Sequence, residues 1–203
     1  MNDTLSFERR YPFSLTEKLW FVVVVPFNKE EKLQALLKSE ASISSFIPTM
    51  LVKGRDAKGH FTYERKIALR NYVFVYSTFE QLNAFKKEKK DIFDFNFLCK
   101  DYFNNQIRIG RLPVTVPKHE MNNFIAVAGN EEEKIQYINP TEIDLTKGER
   151  VRITAGKFAG VEGIFIQLKK KHEKRVVVRI EGVTAVATTV IPASCVEKIP
   201  PKE

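Results

Sequence analysis

The apolar run at residues 19–25 constrains the fold more than any other segment of the chain. It is rich in β-branched and aromatic side chains, and it ends at Pro26. Its length falls far short of the about 20 residues that a membrane helix needs. A short run of this composition is typical of a strand that is buried on both faces of a sheet.

The surroundings of this run and the scattered cysteines and histidines exclude several classes of protein. Acidic Glu17 stands beside the run and no small-residue cleavage site follows it, so we predict a cytoplasmic protein without a membrane segment. Neither CxxC nor HExxH spacing occurs, which argues against a disulfide or a metal site. Because a phosphate-binding glycine loop and a GxSxG elbow are also missing from the sequence, we expect no cofactor and no enzymatic activity.

Strands and helices alternate through the first part of the chain. Asn28 is predicted to cap a helix that runs to Lys38, with Glu31 in a capping-box arrangement. Residues 43–52 and 61–66 are predicted to be the extended arms of a hairpin. Residues 72–76 form a second apolar strand, and residues 92–98 are predicted to be a further strand.

Two more helices complete this part. Thr78 with Gln81 predicts a capped helix, and Pro117 begins a helix that ends before Gly129. The alternation predicts an α/β sandwich over residues 18–128, with helices that flank a mainly antiparallel sheet. A loose tail is predicted for residues 1–17.

The sequence changes character after this point. Residues 129–145 carry an acidic run and few large apolar side chains, so we predict a linker. The helical period is then lost, and short strand-like runs alternate with Gly, Lys or Pro over residues 146–200. We predict a small SH3-like β-barrel there, since closure is how so few strands hide their edges. The fold class is therefore α+β.

The net charge of +8 is concentrated near the C-terminus. Residues 146–203 hold 12 Lys and Arg against 6 Asp and Glu, whereas residues 1–145 hold 21 against 19. A basic segment attracts polyanions such as nucleic acid. A solvated basic surface explains the same charge, and the composition does not decide between them.

The glycine-containing segment at residues 147–164 resembles the KOW motif. It has a strand followed by a loop with Gly156, Phe158, Gly160 and Gly163. Residues 19–23 resemble the opening strand of the N-terminal (NGN) domain of the NusG family, and residues 47–48, 71–75 and 112–120 resemble later segments of that domain in the same order. The resemblance to the NusG family covers residues 18–200 and is closest in character to specialised paralogues of the RfaH and UpxY kind.

The resemblance implies a transcription elongation and antitermination factor that suppresses pausing or termination at long operons, such as surface polysaccharide loci. In the family, an apolar patch of the N-terminal domain docks on the clamp helices of RNA polymerase. Tyr72 and Phe74 are either part of this patch or ordinary core. The family has Phe-Pro where this chain has Leu69-Arg70, which predicts weaker or partner-specific docking. The matching positions are Val24, Leu69, Arg70, Asn71, Tyr72 and Phe74.

Family members also contact the non-template DNA strand beside this patch. Lysines supply phosphate attraction, and solvated helix faces are the alternative interpretation. The candidates are Lys29, Lys32, Lys86, Lys87, Lys89 and Lys90.

The KOW region of family members meets a small-subunit ribosomal protein or the termination factor Rho. Phe158 is the candidate contact here, and a plug inside the barrel is the alternative for this side chain. We expect a monomer. The competing function is a KOW-containing RNA-binding protein that is associated with the ribosome, although such proteins lack the N-terminal domain.

Overall fold

The computed structural model describes residues 13–104, 106–130, 135–138, 145, 148–167 and 174–200. The described chain divides into two compact units. The first comprises the described residues of Met1–Ile47 and Leu69–Lys118, and the second comprises those of Pro48–Ala68 and His119–Glu203. Most of the predicted tail and linker lies outside the described residues, and the domain boundaries given above stay a prediction.

The described residues form three α-helices and fifteen strands, which makes the fold mixed and rich in sheet. The helices are α1 (Glu30–Leu37), α2 (Phe79–Glu88) and α3 (Lys118–Ala128). The strands are β1 (Leu19–Val24), β2 (Ser44–Phe46), β3 (Thr49–Arg55), β4 (Phe61–Ile67), β5 (Tyr72–Ser77), β6 (Asn96–Phe97), β7 (Cys99–Asn104), β8 (Ile107–Pro113), β9 (Thr115–Val116), β10 (Gln136–Ile138), β11 (Glu149–Ile153), β12 (Glu162–Gln167), β13 (Lys174–Ile180), β14 (Thr184–Ala187) and β15 (Val196–Lys198). No described helix is both long and apolar enough to cross a membrane.

The first unit is built around β1, the strand predicted from the apolar run. It lies between β5 and β6 in a sheet of order β2-β5-β1-β6, and it also pairs with β9. Its pairing with β5 is antiparallel, from Leu19 opposite Ser77 to Val24 opposite Tyr72. The middle of β1 is buried, as expected for a central strand that is covered on both faces. A separate hairpin is formed by β7 and β8.

The helices of this unit agree with the sequence in part. The Thr78 cap of α2 is confirmed, because its Oγ1 accepts a hydrogen bond from the Gln81 backbone N–H at 3.1 Å. The predicted Asn28 cap of α1 is wrong. Asn28 has a φ of 57°, and the helix begins at Glu30 after Lys29, whose side chain makes no capping bond.

The strand predicted over residues 92–98 is much shorter in the structure. Only Asn96 and Phe97 form β6, although Phe93 and Phe95 are buried. Lys86 explains the irregular segment before it, because its ammonium donates to the Phe95 carbonyl and to the Asp94 carboxylate. Because the lysine already satisfies the Phe95 carbonyl, this carbonyl does not require a hydrogen bond from a neighbouring strand.

The second unit contains a six-stranded antiparallel sheet in the order β10-β14-β13-β12-β11-β15. Its first strand, β10, falls inside the segment predicted as a linker, and it pairs with β14. The reason is packing, because Ile138 on β10 is buried in a cluster with side chains from β12, β13 and β14. The β3–β4 hairpin belongs to the same unit. All residues of α3 except the first, Lys118, belong to it as well.

Candidate partner-binding surface

The turn between β4 and β5 is locked around Asn71. This residue has a φ of 69°, a left-handed conformation that asparagine tolerates better than most residues. Its backbone N–H donates to Glu30 Oε1 at 2.6 Å, and its side-chain amide donates to the Val25 carbonyl at 2.9 Å. The Val25 N–H donates back to the Asn71 carbonyl at 2.8 Å. Three hydrogen bonds of Asn71, two with Val25 and one with Glu30, therefore fix the turn against the end of β1 and the start of α1.

Glu30 is the unexpected member of this arrangement. It stands in the first turn of α1, where a carboxylate suits the helix dipole, and it is only 1% exposed. Oε1 accepts the bond from Asn71, whereas buried Oε2 has no partner among the described residues. No local pattern in the sequence predicts this contact, because the two residues are 41 positions apart.

The side chains around the turn form a surface that we call the Tyr72 face: Val24, Phe27, Leu69, Arg70, Asn71 and Tyr72. Val24 and Tyr72 stand opposite each other on β1 and β5, and both are half-buried, as Leu69 is. Phe27 is 55% exposed, and the Arg70 guanidinium lies 5.2 Å from the centre of its ring. Phe27 was missed in the sequence, where an aromatic residue directly after Pro26 was the available signal.

Phe74 does not belong to the Tyr72 face. It is 0% exposed, opposite Val22 on β1 and Phe46 on β2. A side chain in the centre of a sheet that is covered on both sides cannot contact a partner in this conformation, so the structure favours the core interpretation for Phe74. Tyr72 is two residues earlier and is the first residue of β5. It is only half-buried.

The candidate lysines fall into two groups. Lys29, Lys32, Lys87 and Lys90 are exposed. Lys86 is engaged in the structure, because its ammonium donates to Asp94 Oδ1 at 2.6 Å and holds the pKa of that carboxyl below its usual range. Lys89 donates to Glu88 Oε1 at 2.5 Å, and this bond raises the pKa of Lys89.

Phe158 is buried, with 3% of its side chain exposed. It lies in a tight loop in which Gly156 and Gly160 have φ values of 83° and 86°. The Gly160 N–H donates to the Ile153 carbonyl at 2.8 Å, which folds the loop back on β11. The structure therefore favours a buried, structural side chain for Phe158 over an exposed contact.

A charged cluster in the second unit was also missed in the sequence. Arg150 and Arg152 both donate to the Glu162 carboxylate, at 2.9 and 2.7 Å. The hydrogen bond from Arg152 is the first reason that the pKa of Glu162 lies below its usual value. No group of three or more potential metal ligands occurs among the side chains that the structure describes.

A sheet that presents apolar, aromatic and cationic side chains at one locked turn is typical of a protein-binding module. The family profile described as "NusG: Transcription termination factor nusG" matches residues 18–125, which include both central strands and the Tyr72 face. The chain therefore belongs to the NusG family of non-enzymatic transcription elongation and termination factors, whose members generally interact with RNA polymerase.

Among solved structures, the chain is similar to one described as "Domain interaction in Thermotoga maritima NusG". The two chains are 21% identical, and the match covers 92% of this chain and 100% of that chain with a TM-score of 0.41. None of the curated proteins compared matches the chain.

Proposed function

We propose that the chain is an elongation and antitermination factor that docks on the clamp helices of RNA polymerase through the Tyr72 face. The observation that supports this most is the exposed pair of Phe27 and Arg70 beside half-buried Leu69 and Tyr72, within the segment that matches the family. Aromatic and arginine side chains supply most of the binding energy at protein interfaces. Bound there, the factor holds the clamp closed and suppresses pausing.

The locked turn suits this role because it is already ordered before binding. Asn71 is fixed by Glu30 and Val25, so the backbone of the turn does not have to be ordered when the partner arrives. Prior ordering reduces the entropy cost of association. Phe74 supports the face from below as part of the core and makes no contact with polymerase.

We further propose that the factor is a specialised paralogue of the RfaH or UpxY kind, which acts in the cytoplasm on long operons. The departure from the family at Leu69 and Arg70 supports a partner-specific surface. The family has a phenylalanine ring at the position of Leu69. In this chain Phe27 supplies a ring on the same face, and the Arg70 guanidinium stacks on the Phe27 ring. The ring is therefore retained on this face but moved to the loop after β1.

The C-terminal strands are proposed to be a KOW β-barrel that meets a small-subunit ribosomal protein or Rho. Because Phe158 is buried, its part in that contact would be to hold the glycine loop in shape. The non-template DNA strand is proposed to pass the exposed lysines of the first unit, Lys29, Lys32, Lys87 and Lys90, whereas Lys86 and Lys89 are held in ion pairs. The match over residues 18–125 supports polymerase over the ribosome as the main partner.

A transcription assay tests the proposal. Purified cognate RNA polymerase is paused on a defined template, and the lifetime of the pause is measured with and without the factor. The wild-type chain is expected to shorten the pause. The double variant Leu69→Ser/Tyr72→Ser is expected to have no effect, while its thermal unfolding stays close to that of the wild type.

The matched control is Phe103→Ser/Ile107→Ser, which removes two exposed apolar side chains from the β7–β8 hairpin. This control is expected to shorten the pause as the wild type does. An active Leu69→Ser/Tyr72→Ser variant would refute the assignment of the docking surface. Co-purification of ribosomal RNA without polymerase would favour the ribosome-associated function instead.

A further inference from the structure

The β3–β4 hairpin presents most of its side chains to solvent. Six of the seven residues of β4 are exposed, and Phe61 and Tyr63 are 59% and 62% exposed. Soluble proteins seldom leave neighbouring aromatic rings in water unless a partner covers them. The hairpin shares no residue with the Tyr72 face.

The strand register sorts these side chains onto two faces of different character. Residues directly opposite each other in an antiparallel pair lie on the same face, as do residues two apart along a strand. The opposed pairs of one face, which we call the Phe61 face, are Leu51 with Arg65, Lys53 with Tyr63 and Arg55 with Phe61. This face therefore holds three cations and two aromatic rings.

The acidic residues of the hairpin lie elsewhere. Glu64 stands opposite Val52 on the other face, where its Oε2 lies 3.1 Å from the ammonium of Lys66. Asp56 is in the turn, and its carboxylate accepts hydrogen bonds from the backbone N–H groups of Lys58 and His60. The Phe61 face thus carries positive charge without a carboxylate among its strand residues.

Two of the cations, Lys53 and Arg55, lie against the Phe61 ring at the end of this face. The Lys53 ammonium lies 3.5 Å from the centre of the Phe61 ring, and the Arg55 guanidinium carbon lies 4.9 Å from it. Tyr63 follows two residues along the strand, about 7 Å away at the usual rise of a β-strand. Two accessible rings with charges beside them can each stack on a base while the charges attract phosphates.

From this arrangement we propose that the Phe61 face binds single-stranded nucleic acid, with bases stacked on Phe61 and Tyr63 and phosphates attracted by Lys53 and Arg55. Exposed bases and a phosphate backbone are complementary to rings interleaved with cations. In duplex nucleic acid the bases are stacked on one another, so the rings would have nothing to contact. The inference rests on the proposed function for its setting in transcription, but its test does not involve polymerase.

The test is fluorescence anisotropy with the full chain and labelled oligonucleotides of about 12 nucleotides, a length within the usual site size of such surfaces. Single-stranded DNA and single-stranded RNA are separate arms, and a duplex of the same sequence is the third. The wild type is expected to bind at least one single strand more tightly than the duplex. The double variant Phe61→Leu/Tyr63→Leu is expected to weaken this binding by about fivefold to a hundredfold, because base–aromatic stacking is lost.

A second pair of variants tests the charge. Lys53→Gln is expected to reduce the dependence of log affinity on log salt by about 0.7, the contribution of one phosphate contact on a single strand. Lys66→Gln makes the same change on the opposite face, where the lysine already faces Glu64, and it is expected to leave the dependence unchanged.

The proposal is overturned if the wild type binds no single strand, if it prefers the duplex, or if Phe61→Leu/Tyr63→Leu binds as tightly as the wild type. The equal loss of affinity in Lys53→Gln and Lys66→Gln would likewise contradict a site on one face. None of these results would change the outcome of the pausing assay with the Tyr72 face, so the two proposals can fail separately.

Discussion

Asn71 shows how a single residue can fix the geometry of a turn, here the turn that carries the proposed docking surface. Its left-handed conformation is maintained by bonds to Glu30 and Val25, on two different elements. The side chains of Leu69, Arg70 and Tyr72 take their positions from this turn, so Glu30 influences a surface from which it is itself hidden.

The first prediction concerns Glu30. Glu30→Leu leaves the Asn71 N–H buried without an acceptor, which is expected to lower the free energy of unfolding by about 1–3 kcal/mol. Glu30→Gln keeps an acceptor oxygen and is expected to cost less. Chemical denaturation measures both, and Glu31→Gln at the exposed neighbour is the control. Equal stability of Glu30→Leu and the wild type would show that the bond does not hold the turn.

The second prediction concerns Glu162 and pH. The pKa of Glu162 is lowered in the folded chain, first by the hydrogen bond from Arg152. Because the pKa is lower in the folded than in the unfolded chain, the ionised carboxylate contributes its full stabilisation at pH values above the ordinary pKa of 4.5. This stabilisation is lost as the pH falls from 4.5 through the pKa of the folded chain. Glu162→Gln is therefore expected to lower the thermal midpoint at neutral pH and to reduce its fall in acid.

Thermal unfolding over a series of pH values from neutral to acid measures this effect. Glu181→Gln, a change at an exposed glutamate of the same unit, controls for the loss of one negative charge. If Glu162→Gln and the wild type lose stability in parallel through the acid range, the ion pairs with Arg150 and Arg152 do not contribute as described.

The glycine loop before β12 combines conformational and steric requirements. Gly156 and Gly160 adopt left-handed φ values, which glycine reaches without steric cost. Gly163 is different, since a Cβ built on it would lie 2.6 Å from the Val177 carbonyl oxygen on β13. The third glycine of the motif is therefore required because two strands approach each other closely.

This close approach gives the third prediction. Gly163→Ala is expected to lower the free energy of unfolding by about 1–3 kcal/mol, because the added methyl group forces β12 and β13 apart. Gly54→Ala on β3 is the matched control, since its added Cβ meets only Thr62 Oγ1 at an ordinary 3.4 Å. If the two variants are equally stable in chemical denaturation, the sheet adjusts without cost and the steric explanation is wrong.

The fourth prediction decides the role of Phe158. A buried ring in the glycine loop should contribute to stability, so Phe158→Ala is expected to lower the free energy of unfolding by about 3–5 kcal/mol. Phe103→Ala, at a ring that is 61% exposed, is expected to change it little. A Phe158→Ala variant as stable as the wild type would instead favour an exposed contact residue.

Regular elements could be predicted where the sequence has a clear period. The apolar runs predicted β1 and β5, and the pair Thr78 and Gln81 predicted the start of α2. Local signals failed where a distant group decided the outcome. The segment before β6 is irregular because Lys86 bonds its carbonyl, and β10 is a strand because Ile138 is buried against other strands.

The functional surfaces were predictable only in part. The position of the Tyr72 face came from the family resemblance, but Glu30 could not be found because its contact with Asn71 depends on the folded chain. The Phe61 face was not predicted either, since its character appears only when the register of β3 and β4 is known. The sequence could not show that Phe74 is buried and Tyr72 half-buried, because it does not indicate which residues of β5 are covered by other elements.

At the scale of the whole molecule, we propose a binding protein with separate surfaces for separate partners. The first unit holds the Tyr72 face, proposed for RNA polymerase, and the second holds the Phe61 face, proposed for single-stranded nucleic acid. Its membership of the NusG family agrees with a factor that works by association and without catalysis. The central claim is that polymerase is bound through the Tyr72 face.

Direct titration of the labelled chain with purified core RNA polymerase tests this claim without depending on the outcome of transcription. Leu69→Ser/Tyr72→Ser is expected to weaken binding by about 2 kcal/mol or more, the usual loss at an interface hot spot. Phe103→Ser/Ile107→Ser, which removes two exposed apolar side chains of the β7–β8 hairpin, is expected to bind as the wild type does. Equal affinity of both variants and the wild type would contradict docking through this face.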